Sequence, residues 1–234
     1  MRRAVLVLLA LLAMPAPAGA ATVDLMVVGK ERVLREAAPV KLKARSVKMG
    51  GRRCAVGRAT PLSVLAGTRL KLRLQDYGAC GRSPRDAGAL YVTQVGPDRR
   101  GGSAGWVYKL GRRVGTNGAA DPAGPFGSGK LRAGTRLLWF WCVQARGEAC
   151  QRTLETSSAS TAAPGAPVTV TVRGYDDNGR GVPVAGATVR LGTAVATTDA
   201  SGVATLAAPA SGSARLTAER AGMVRSWPRA VLVR

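Results

Sequence analysis

Along most of the chain apolar and polar residues alternate with a period of two, the repeat that half-buried strands require. ATVDLMVVGK (21–30), PVKLKARSVKM (39–49), RLKLRLQDY (69–77), ALYVTQVG (89–96), GWVYKLG (105–111) and LLWFWCVQ (137–144) all read as strands. A short helix is expected where Thr60 can cap and Pro61 can fill the first turn before LSVLAG. The stretch Gly105–Cys142 organises this part: it holds three of the four Trp, a middle rich in Gly, Asn, Asp and Pro, and a closing strand that ends in Cys. That pattern predicts two aromatic strands joined by a long surface loop.

From Pro167 onward the strands are shorter and turn signals recur every eight to twelve residues, the spacing of a β-sandwich. Asn178-Gly179 and Ser201-Gly202 mark two of those turns. Between the two patterns, Ser157–Pro167 reads SSASTAAPGAP, small and polar without a large apolar residue, as expected of an extended linker. At the other end Met1–Ala20 has Arg2 and Arg3, the apolar run AVLVLLALLA and a small-residue tail. That run is about half the ~20 residues of a membrane helix, so it predicts a secretory signal cleaved before Ala21. The expected organisation is a signal peptide at 1–20, a first domain at 21–156, a linker at 157–167 and a sandwich at 168–234.

Charge changes this picture more than any motif. The chain carries 35 Lys or Arg against 13 Asp or Glu, a formal net charge of +22, and most of the excess falls in the first domain. Such a field attracts polyanions by steering and counter-ion release. In an exported protein these are anionic cell-envelope polymers, acidic polysaccharide or another surface protein; no nucleic-acid module is visible and no further stretch is long and apolar enough to span a membrane. The alternation in RLKLRLQDY puts Leu70, Leu72 and Leu74 on one face and Arg69, Lys71 and Arg73 on the other. That basic row is a candidate anion-binding face, and it also suits a sheet edge that must not pair.

The chain has no His. Ser-His-Asp and Cys-His mechanisms and His-ligated metals are therefore ruled out, and the expectation is a non-enzymatic protein with no cofactor and no metal. Cys54, Cys80, Cys142 and Cys150 all lie in the first domain, an even number that in an exported chain reads as disulfides. Of three possible connectivities, Cys54–Cys80 with Cys142–Cys150 is favoured, because a turn centred on Arg146 brings the second pair together. Gly124–Lys130 has the length of a phosphate-binding loop but is followed by Leu131 instead of Ser or Thr. Asp176, Asp177, Asn178 and Asp199 are possible calcium ligands and equally ordinary turn residues. Trp106, Tyr108, Trp139 and Trp141 are candidates for a ligand surface, against the alternative that they fill the core.

Two resemblances follow from these residues. GWVYKLG with Gly105, Trp106, Tyr108 and Gly111, then Leu131, Gly134, Trp139 and Trp141, resembles the transcobalamin-like C-terminal domain, which implies a small α+β module of β-grasp type. Leu110-Gly111 and Gly134-Thr135 depart from that family's Asn-Gly and Gly-Asp. PVAGATVRL, TTDASGVATL and LTAERAGM resemble carboxypeptidase-regulatory-like and bacterial Ig-like modules, which implies an Ig-like or prealbumin-like sandwich used as a spacer or binder. The expectation is a mainly β, secreted or cell-wall-associated binding or structural module. The alternatives are a carbohydrate or small-ligand (corrinoid-like) binder and a carboxylate-dependent hydrolase of envelope polymers.

Overall fold

The computed structural model describes residues 20–78, 80, 89–144 and 149–234. The expected signal segment, Ala20 apart, and the turn centred on Arg146 lie outside the described residues. The protein is mainly β. Its first domain is built, in chain order, from β1 (Thr22–Val28), β2 (Val33–Lys41), β3 (Arg45–Met49), β4 (Arg52–Val56), α1 (Pro61–Leu65), β5 (Leu72–Asp76), β6 (Leu90–Val95), β7 (Asp98–Arg99), β8 (Ala104–Leu110), β9 (Arg113–Val114) and β10 (Arg136–Val143). The main sheet has the order β2-β1-β10-β8-β9, a second sheet is β5-β6-β7, and β3 pairs with β4. The aromatic strands β8 and β10 pair directly, antiparallel, with Trp106 opposite Trp141 and Tyr108 opposite Trp139.

Helix α1 forms where the sequence places it. The Thr60 hydroxyl accepts from the Ser63 N–H at 3.2 Å while the Ser63 hydroxyl accepts from the Thr60 N–H at 3.1 Å, so two otherwise orphaned donors are satisfied reciprocally. Pro61 occupies the first turn, where its missing N–H costs nothing, and all five helical residues are buried. The expected strand across 39–49 divides instead. Residues 39–41 close β2, whose start at Val33 the alternation did not reveal, and 45–49 form β3.

The second domain comprises β11 (Thr153–Ser157), β12 (Thr161–Ala162), β13 (Pro167–Tyr175), β14 (Gly181–Pro183), β15 (Thr188–Leu191), β16 (Ala194–Thr197), β17 (Val203–Ala207), β18 (Gly212–Glu219) and β19 (Arg229–Val233). One sheet gathers β11, β14 and β17 on β13, and the other runs β12-β19-β18-β15-β16. Val168, Val170, Val172, Val189, Leu191 and Leu216 interdigitate between them, which makes this domain a β-sandwich. Within the stretch expected as an extended linker, Thr161–Ala162 form β12, which lies parallel to β19, while Ser157 ends β11, paired with β13, and Pro167 begins β13. Small residues suit an edge strand as well as a linker, so composition alone did not separate the two.

The same strand that anchors the first core also anchors the second domain. Six consecutive residues of β10, Leu137–Cys142, are buried. Leu137, Trp139 and Trp141 face the first domain's core, while Leu138, Phe140 and Cys142 join Met26, Val224 and Trp227 in an apolar seam between the domains. A strand covered on both faces reads as an unbroken apolar run, which is what LLWFWC is. The two disulfides are Cys54–Cys80 and Cys142–Cys150, the favoured connectivity, with Cα atoms 5.0 and 5.2 Å apart.

Candidate functional site

The strand expected over 69–77 is shorter: β5 begins at Leu72, so of the basic row Arg73 lies on the outer face of the β5-β6-β7 sheet and Arg69 and Lys71 lead into it. Leu70, Leu72 and Leu74 pack against the first core, and Arg69, Lys71 and Arg73 between them are all exposed, Arg73 by the pleat of β5. Pairing extends this face: Arg73 lies opposite Gln94, and Gln94 opposite Arg99. Arg100 adds a fifth cation, its guanidinium 5.5 Å from the ring of Tyr91 and its Nη2 3.2 Å from Gln75 Oε1. Tyr91 is 38% exposed and lies beside Arg100 on this face. None of Arg69, Lys71, Arg73, Arg99 and Arg100 forms an ion pair among the described residues. In the same sheet Asp76 Oδ1 accepts from the N–H of Gly78 and Cys80, and Asp98 Oδ2 accepts from the N–H of Lys30.

The four aromatic candidates are not on this face. Trp106, Tyr108, Trp139 and Trp141 are 3%, 6%, 1% and 5% exposed, so of the two readings weighed for them the core one describes their packing. Trp106 and Trp141 meet edge to face at 5.7 Å, and Trp139 lies 5.3 Å from Tyr108, as cross-strand neighbours on one face must. Burial first, and the Asp121 carboxylate second, hold the Tyr108 phenol above its usual 10.0. Its hydroxyl donates to the Asn117 carbonyl at 2.6 Å. Two clefts touch these rings. One, of about 330 Å³, is an apolar hollow beside Tyr91, Val92, Trp106, Tyr108 and Trp139. The other, of about 650 Å³, runs between the domains with Trp141 and Gln151 beneath it.

Lys109 holds the domains in register, a role the sequence did not reveal. Its side chain is wholly buried and its Nζ donates to Thr153 Oγ1 at 3.2 Å, the Tyr175 carbonyl at 3.1 Å and the Asp176 carbonyl at 2.9 Å. Asp177 Oδ1 lies 3.7 Å away. Burial lowers the Lys109 pKa, opposed by Asp177 and Asp176, so the ammonium is held at a cost. Around it, Val114 N–H donates to the Asp177 carbonyl at 2.9 Å and Arg112 pairs with Glu155 at 2.8 Å. Glu36 on β2 pairs with Arg215 and, at 3.6 Å, with Arg225. A Lys three residues after a Trp and one after a Tyr on a strand reads as an outward charge; only the arrival of a second domain on that face makes it interior.

Three of the possible calcium ligands are engaged by the protein itself. Asp176 Oδ1 accepts from the N–H of Arg180 and Asn178, Asp199 Oδ1 from the hydroxyl of Ser201 and the N–H of Val203, and Asp177 reaches Cys150 N–H and Lys109. Among the described residues no cluster of three or more metal-ligating side chains occurs. No described helix is long and apolar enough to cross a membrane. Comparison with protein-family models, with characterised proteins and with solved structures found no match.

Proposed function

We propose that this protein is an exported binding module that engages anionic envelope polymers through the outer face of β5-β6-β7 and catalyses no reaction. The observation that carries this reading is that five exposed cations, Arg69 and Lys71 leading into the edge strand β5, Arg73 on it, and Arg99 and Arg100 at β7, have no carboxylate partner among the described residues. An edge strand needs one or two charges to discourage pairing, and the five cations on and around this edge, unpaired among the described residues, maintain a field that binds a polyanion with release of counter-ions. The signal-like start at Met1–Ala20 and the two disulfides support export. The transcobalamin-like and carboxypeptidase-regulatory-like resemblances support a module that presents a surface. The test is binding of the purified protein to acidic and neutral polysaccharides of matched length. Binding restricted to the acidic series, and weakened by salt, is the expected result; equal binding to the neutral series would overturn it.

A second reading, a carrier for a small ligand, is favoured by the apolar hollow beside Trp106 and Trp139. It predicts saturable changes in Trp fluorescence with small aromatic or alkyl probes that do not respond to salt.

A further inference from the structure

The groove between the domains is charged in a way that neither domain alone explains. On one wall, the turn joining β1 to β2 supplies Lys30 and Arg32; on the other, the sandwich supplies Arg190, Arg220 and Arg225. Glu31 and Glu219 are the acidic residues lining it, and Glu219 is taken up by Arg225 at 3.5 Å. Lys30, Arg32, Arg190 and Arg220 have no ion-pair partner among the described residues. The two walls therefore repel each other across a cavity of about 650 Å³, and they are held together by the apolar seam, the Lys109 latch and the Glu36 pairs. Beneath the charges lies an indole: Lys30 Nζ sits 4.5 Å from the centre of the Trp141 ring. That ring is braced from the core side by Trp106, so it is a fixed floor that an exposed, flexible ammonium covers.

We propose that this groove is a binding site for a short stretch of acidic sugar, with carboxylates between the two cationic walls and a ring displacing Lys30 from the Trp141 face. Each part of the geometry matches a part of such a ligand. Cations on opposing walls suit an anion that contacts both domains, because one bound carboxylate then removes a repulsion as well as gaining two attractions. An indole floor suits the apolar face of a pyranose ring. The volume lies within the ~300–1,000 Å³ of ordinary ligand sites. The site uses none of the cations of the β5-β6-β7 face, so it stands whether or not that face binds polymer.

The experiment titrates the full chain with a tetramer of galacturonate, a neutral tetramer of galactose and inorganic polyphosphate, read by calorimetry and Trp fluorescence. Saturable binding of the acidic tetramer, with Arg32→Gln and Arg220→Gln each weakening it about tenfold and the exposed control Arg132→Gln leaving it unchanged, is the expected result. Equal affinity for the neutral tetramer, binding of polyphosphate alone, indifference to both groove variants or no binding would each overturn it. The β5-β6-β7 reading fails separately, if long acidic polymer is indifferent to Arg69→Gln/Lys71→Gln/Arg73→Gln.

Discussion

Replacing Lys109 by Met tests whether one buried charge fixes the second domain against the first. Met has nearly the volume of Lys, so the change removes the ammonium without opening a large void. What it leaves behind is the tally of lost partners: the carbonyls of Tyr175 and Asp176, the Thr153 hydroxyl, and Asp177, whose Oδ1 has no hydrogen-bond donor among the described residues. Removing one member of a buried ion pair costs about 3–5 kcal/mol. The Asp177 side chain is 23% exposed and partly hydrated, which places the expected loss near the lower end, about 3 kcal/mol. For a chain of this size that corresponds to a fall of about 6–12 °C in the unfolding midpoint. The assay is differential scanning calorimetry of wild type, Lys109→Met, Asp177→Asn and the double variant. A second change that costs clearly less in the Lys109→Met background than alone would show the coupling. A midpoint for Lys109→Met within about 1 °C of wild type would refute the reasoning, since a surface lysine would behave that way.

The same residue sets a pH dependence. In the folded state burial makes Lys109 release its proton more easily than the ordinary 10.5 of the unfolded chain, so between the lowered value and 10.5 the unfolded state binds more protons and stability rises with pH. Tyr108 does the reverse: held above 10.0 when folded, it withdraws stability as pH climbs past 10. Urea midpoints should therefore rise on the alkaline side and fall above about pH 10, with the rise missing in Lys109→Met. Converting Cys54 and Cys80 to Ser should cost about 3.5 kcal/mol and Cys142 with Cys150 about 2.5 kcal/mol, because loop-closure entropy grows with the separations of 26 and 8 residues. Equal losses in urea melts would argue against that origin. Gly115→Ala should destabilise by about 1–3 kcal/mol and alter Trp fluorescence, because the new Cβ would stand 2.1 Å from the Tyr108 ring that packs on Trp139. An unchanged spectrum would mean that the ring has room to move.

Local chemistry was legible in the sequence wherever a rule acts within a few residues. The alternation in RLKLRLQDY fixed which side chains point outward, Thr60-Pro61 fixed the start of α1, and the Cys spacing favoured the pairing that forms. What could not be read is what covers each face. LLWFWC says that β10 is apolar on both sides, but whether the second side meets a helix, a partner or another domain depends on Val224 and Trp227, more than eighty residues away. For the same reason Lys109 and the two-walled groove were invisible: each exists only through contacts between Lys30 or Lys109 and residues beyond Arg152. Nor was β12 legible in the Ser/Pro-rich stretch, since it is held by a distant strand that local composition does not mention.

The account rests on the cations of β5-β6-β7 acting as a binding face, and the salt dependence of polymer affinity measures that most directly. For wild type, log K for a long acidic polysaccharide should fall linearly with log salt. In Arg69→Gln/Lys71→Gln/Arg73→Gln the slope should be shallower by about two, given ~0.7–0.9 counter-ions released per contact. Parallel lines for the two proteins would contradict it.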